Sequence, residues 1–146
     1  MTQLATLSRD DEAIRGVILA RSRALGAKDA VAVADCGTSD AVCYSLAPPL
    51  VDTGGVKGLE GWFATWEGPL GYELRDVSVV AGADVAFVHG LAHLTGRKVE
   101  GVVVDLWFRL TLGLKRTAAG WKIVHEHESV PFYMDGSFRA AVDLTP

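Results

Sequence analysis

The stretch Leu106 to Phe132, L-W-F-R-L-T-L-G-L-K-R-T-A-A-G-W-K-I-V-H-E-H-E-S-V-P-F, decides how the chain is read. Apolar and β-branched residues recur on either side of the turn T-A-A-G, which predicts two long strands joined as a hairpin. Every second side chain of such a pair shares a face. With Arg116 and Trp121 flanking the turn, Leu114 is expected opposite Ile123, Leu112 opposite His125, and Leu110 opposite His127. The other face then pairs Thr111 with Glu126, Arg109 with Glu128 and Trp107 with Val130. Opposite charges at Arg109 and Glu128 suit that register.

The strand before this hairpin extends the pattern. Opposing His93 to Asp105 also opposes Leu91 to Trp107 and His89 to Arg109. One face is then almost wholly apolar: Val88, Gly90, Ala92 and Leu94 against Leu110, Phe108, Leu106 and Val104, with His125 and His127 at its margin. The other mixes Trp107 and Phe87 with His89, His93, Asp105, Arg109, Thr111, Glu126 and Glu128. Two readings are open. In one, the apolar face is the core and the mixed face meets solvent. In the other, the mixed face curves round the helices as a polar-lined pocket, and the apolar face packs on a second subunit. A one-residue slip exchanges every assignment.

Upstream, Ser8-Arg9-Asp10-Asp11 has the character of a capping box. Ala13, Ile14, Val17, Ile18, Arg21 and Leu25 follow at helical spacing to about Ala27. Asp29 caps a second helix, Ala30 to Cys36, stopped by Gly37. Ala41 to Leu46 reads as a strand, and Pro48-Pro49 with Thr53-Gly54-Gly55 as a loop. Val56, Leu59, Trp62, Phe63 and Trp66 predict a third helix broken at Gly68-Pro69. Strands are then expected at Tyr72 to Val80, Val85 to Thr95, Val102 to Lys115 and Trp121 to Phe132. The order α-α-β-α-β-β-β-β predicts an α+β domain, its helices packed on one face of a curved antiparallel sheet.

At 146 residues the chain, 1–146, is expected to be a single domain. A hydrophobic share of 49% and a charged share of 22% place it among globular proteins. Its net charge of −4, without a basic run, argues against nucleic acid or an anionic membrane as partner. The polar start and the lack of a long apolar stretch predict a cytoplasmic location. Cys36 and Cys43 are expected as free thiols, Cys43 as a small core residue.

The layout, and W-K-I-V-H-E-H-E-S-V-P-F above all, resembles the nuclear-transport-factor-2-like superfamily. It is most similar to SnoaL-like and ketosteroid-isomerase-like proteins, relatives of the calcium/calmodulin-dependent kinase association domain. The pattern Trp121-x-x-x-His125-x-His127-x-Ser129 after a glycine turn carries this resemblance across nearly the whole chain. It implies a cone, a strongly curved sheet wrapping a long helix, with dimers formed through the outer sheet face. It also implies an acid–base residue on the last strand, at the position of Glu128.

A carboxylate in such a cone has its pKa raised and is poised for proton transfer. Glu128, His89 and His93 are therefore the candidate catalytic residues, with Asp105 orienting His93. Arg109 is either a clamp for an anionic group or a structural bridge to Glu128. Glu126, Trp107 and Thr111 share that face, while Trp62 and Trp66 would roof the pocket with Tyr44 below; the aromatic stripe fits simple core equally well. His125-x-His127 has the spacing of paired metal ligands, but no third ligand shares the face, so no metal is expected and an interface role is preferred. The function expected is binding of a small, partly apolar molecule with a carbonyl or anionic group. Cofactor-free proton transfer of isomerase, cyclase or dehydratase type would be its chemistry. A non-catalytic ligand-binding or oligomerisation module is the alternative, since this architecture hosts many functions.

Overall fold

Helix α1, Thr2–Gly26, carries one stripe toward the interior: Asp10, Ile14, Ile18, Arg21 and Leu25 are buried at spacings of three and four. The computed structural model describes residues 2–146, with side chains from Arg9 onward. The helix runs straight through Ser8, which therefore does not cap it; the Ser8 side chain lies outside the described residues. Its other end is a Schellman turn. The Asp29 amide reaches the Ala24 carbonyl and the Lys28 amide that of Leu25, with Lys28 in the left-handed region at φ 56°. Asp29 then caps α2, Ala30–Asp35, accepting from the Ala32 amide at 3.0 Å.

Strand β1, Gly37–Tyr44, precedes α3, Gly55–Phe63. Four long strands follow: β2 (Trp66–Ala81), β3 (Val85–Lys98), β4 (Val103–Thr117) and β5 (Gly120–Ser129). They form the expected antiparallel meander, and β1 adds in parallel beyond β5, giving the sheet order β1-β5-β4-β3-β2. The third helix stops at Phe63, three residues short of the expectation. Trp66 opens β2 opposite Lys98, so Gly68-Pro69 lies in an irregular strand and breaks no helix. Among the described residues no helix is long and apolar enough to cross a membrane.

The apolar sheet face is the core. Val88, Ala92, Leu94, Phe108, Leu110, Leu112 and Leu114 are all at most 7% exposed and pack with Ile14, Ile18 and Leu25 of α1. The reading that gave this face to a second subunit is thus corrected: a helix with a matching apolar stripe already covers it. Between β3 and β4 the pairing is offset by two residues from the expected one, with His93 opposite Trp107 and Thr95 opposite Asp105. An even shift leaves the faces intact.

Between β4 and β5 the shift is odd and consequential. Leu114 faces Ile123 as expected, but the next pair is Gly113 with His125, leaving Val124 as an extra residue. Beyond this bulge Leu112 faces Glu126, Thr111 faces His127, Leu110 faces Glu128 and Arg109 faces Ser129. Two residues opposing one reverse the alternation of the bulged strand. Both glutamates are thereby turned among the leucines, and both histidines outward.

Candidate active site

The polar centre of the cone combines α1, β2 and β5. Arg21, 4% exposed, donates from Nη1 to the Tyr72 hydroxyl at 3.1 Å and from Nη2 to Glu126 Oε1. The same Nη2 lies 3.8 Å from Glu128 Oε1. Tyr72 sits on β2 with its ring edge-on to Phe108, and Arg21 also stacks on the Tyr72 ring. Cys43 of β1 pairs with Glu126 in the parallel ladder. Its thiol is pushed up to about 12, by burial first and then by Glu126 and Glu128, and so stays protonated.

Two acids face one cation here. Burial and the neighbouring Glu126 carboxyl push Glu128 up to about 8, against the pull of Arg21. Tyr72 is pushed up to about 12, chiefly by burial, and keeps its proton. Arg21 stays cationic, since Glu126, Tyr72 and Glu128 together outweigh its burial. The centre therefore carries one exchangeable proton close to neutral pH.

That proton links to stability. An unperturbed glutamate ionises near 4.5, so between there and about 8 the folded chain holds a proton that the unfolded chain has released. Folding stability contributed by Glu128 is complete below about 4.5 and is lost as pH rises through about 8. Thermal unfolding of the wild type from pH 5 to pH 9 should show this decline, and Glu128→Gln should flatten it. Equal slopes in the two proteins would remove Glu128 as its source.

Glu128 also reaches solvent. It lines an open cleft of about 640 Å³ together with Tyr44, His127 and the loop 45–51. The Asp52 amide bonds the Cys43 carbonyl at 2.9 Å and closes this loop at its base. Leu46, Leu50 and Val51 are exposed there, Leu50 to 95%, so the rim is apolar. Ordinary small-molecule pockets span roughly 300–1,000 Å³.

Of the expected site residues, the structure brings Glu128, Glu126 and Tyr44 to this region. The rest lie elsewhere. His89, His93, Asp105, Trp107, Arg109 and Thr111 occupy the outer sheet face, opposite in sense to Glu128. Asp105 does hold His93, at 2.5 Å, and His93 stacks on Trp107 with ring centroids 4.2 Å apart. Arg109 donates to the Ser129 hydroxyl at 3.1 Å; it makes no bridge to Glu128, because the bulge moved Glu128 to the other face. Trp62 and Trp66 form no roof. They pack edge to face at 5.6 Å, with the Lys98 ammonium 3.8 Å from the Trp66 ring centre, and neither lines the cleft. His125 and His127 face outward against Tyr44, and the Val42 carbonyl lies 2.8 Å from His125 Nδ1. Among the described residues no three His, Cys, Asp or Glu side chains gather as a metal set.

Arg21, Tyr72 and the loop 45–51 were not among the expected site residues. Arg21 did carry a signal, being a charge on the apolar stripe of α1. A second such charge, Asp10, has a different role. It accepts from Arg116 at 2.7 Å and from the Trp121 indole at 3.3 Å, tying α1 to the closing hairpin.

The sequence model of one family, described as the SnoaL-like domain, matches residues 14–133. Solved structures share the architecture. A protein of unknown function from Pseudomonas putida, described as NTF2-like (nuclear-transport-factor-2-like), is 25% identical over 96% of this chain and 98% of its own, with a TM-score of 0.83. A ketosteroid isomerase-like protein from Erwinia carotovora is 25% identical over 81% of this chain and 93% of its own, with a TM-score of 0.68. An NTF2-like protein with a cystatin-like fold from Novosphingobium aromaticivorans is 20% identical over 94% and 92%, with a TM-score of 0.70. No curated protein matches the chain.

Proposed function

Because the chain belongs to the SnoaL-like domain family, we propose that its cleft binds a small, partly apolar carbonyl compound and that Glu128 moves a proton on it. One observation carries this reading. A carboxyl group pushed up to about 8 by burial and an acidic neighbour lines an open, apolar-rimmed cleft, with a second acid and an arginine fixed behind it. General acid–base groups work best when their pKa lies near the operating pH. In the ionised form Glu128 takes a proton from the carbon beside the carbonyl. The C–H bonding pair becomes the enolate double bond, and the carboxylic acid so formed returns the proton to the same or another carbon. Such a step draws on the protein's own acid alone. The likeness to a ketosteroid isomerase-like protein supports the same class of chemistry.

Exchange of α-hydrogens tests it. In deuterium oxide the wild-type protein should label cyclic ketones and enones at the α-carbon, seen by proton NMR, with a rate that climbs with pH and levels off near 8. Labelling no faster than buffer across such a panel would leave the module reading, binding without chemistry, as the better one.

Self-association belongs to the outer sheet face in this proposal. That face exposes Phe87 and carries the stacked pair of Trp107 and His93. Trp107→Glu should turn a sedimenting dimer into a monomer with an unchanged far-ultraviolet spectrum. An unaltered sedimentation coefficient would place the contact elsewhere.

A further inference from the structure

We infer that Glu126 and Glu128 together set the charge specificity of the cleft: by enclosing Arg21 they leave it able to take a neutral carbonyl head group and unable to take a carboxylate. This rests on the proton-transfer reading for the location of the site, though not for its chemistry.

The geometry is one of enclosure. Nη1 of Arg21 is held by Tyr72 and Nη2 by Glu126, with Glu128 at 3.8 Å, and the side chain is 4% exposed. The groups facing Glu128 are Arg21, Glu126, Tyr72 and the Cys43 thiol, with His127 at the rim. Among the described residues no lysine or arginine lines the cleft, and Glu128 is the one carboxyl group in its wall. An anionic head entering there meets a carboxyl group and an apolar rim. It loses its water without gaining a cation, and a buried charge left in that state is strongly disfavoured. A ketone oxygen needs one donor, which the protonated Glu128 supplies.

Arg109, expected as an anion clamp or as a bridge to Glu128, lies on the outer face, bonded to Ser129. Removing that clamp is what shifts the ligand class from carbonyl or anionic to neutral.

The test uses three probes on one ring: cyclohexyl methyl ketone, cyclohexanecarboxylate and cyclohexylmethylamine, titrated at pH 7 by calorimetry. The wild type should bind the ketone at least about tenfold more tightly than the carboxylate, the size of one unpaired buried group. In the double variant Glu126→Gln with Glu128→Ala, Arg21 is uncovered beside a carboxylate-sized space, and the preference should invert. A purely structural role for the two glutamates would weaken all three probes alike.

Equal or tighter binding of the carboxylate by the wild type overturns the inference, as does tightest binding of the amine or binding of none of the three. The wild-type ratio decides even if the double variant does not fold. Ketone bound with the expected preference but without α-hydrogen exchange would count against proton transfer alone and leave charge selection standing.

Discussion

Glu128→Gln should lower the rate of α-hydrogen exchange in a bound ketone by about 10²- to 10⁴-fold, the usual contribution of a positioned acid–base group. Gln keeps the shape and the hydrogen bonds of the neutral acid but has no proton to give or take. The loss should therefore fall on the rate constant and spare ketone affinity. The pH profile gives a sharper reading than the rate. Wild-type exchange follows ionisation of Glu128, rising about tenfold per pH unit to near 8 and then flattening. The residual rate of the variant should lack that bend. A variant that keeps both the rate and the bend would exclude Glu128 as the proton carrier, and Glu126, bonded to Arg21, would be the next residue to test.

Arg21→Met should be the most destabilising single change in the centre, at about 3–5 kcal/mol near pH 7 in a denaturant titration. It leaves two buried carboxyl groups with no cation, while Met fills much of the arginine's volume. The loss should depend on pH in a fixed direction. At pH 5 Glu128 keeps its proton and the deficit shrinks; at pH 9 it is driven toward ionisation with no cation beside it and the deficit grows. Adding Glu126→Gln and Glu128→Gln to Arg21→Met should recover most of the stability, since a neutral, hydrogen-bonded set replaces an unbalanced charged one. A deficit below about 1 kcal/mol, or one equal at pH 5 and pH 9, would mean that the arginine's charge does not support the pair.

The order of elements was legible because each rests on local signals: the α1 stripe, the Asp29 cap, and four apolar strands cut by short polar turns. Trp66 misled for a physical reason. It falls at the next helical position after Leu59 and Trp62, yet Thr65 bonds back to the Trp62 carbonyl and ends the helix, and Trp66 reaches the same core from a strand. Both glutamates were expected on the mixed face with Arg109, Thr111 and Trp107, and the bulge carries them to the other face, among the leucines. The hairpin register holds as far as Leu114 and Ile123, and nothing in W-K-I-V-H-E-H-E marks the residue where it fails. The one hint lay across the ladder. Gly113, a glycine inside a strand, sits opposite His125 at the bulge, and strand-interior glycines often mark such places. Arg21 was visible as a charge on an apolar stripe. Its partners were not, because they come from strands 51 and 105 positions away.

The extra residue at Val124 has a bearing on descent as well as on shape. A single codon gained or lost between Ile123 and Glu126 would exchange H-x-H for E-x-E inside the cone while leaving every side chain of the strand unmutated. Chemistry in this fold thus has a route of change that no substitution follows. A relative that lacks the extra residue, aligned through this strand without a gap, would have its inward and outward residues transposed, and an imidazole would be credited with the place of a carboxylate.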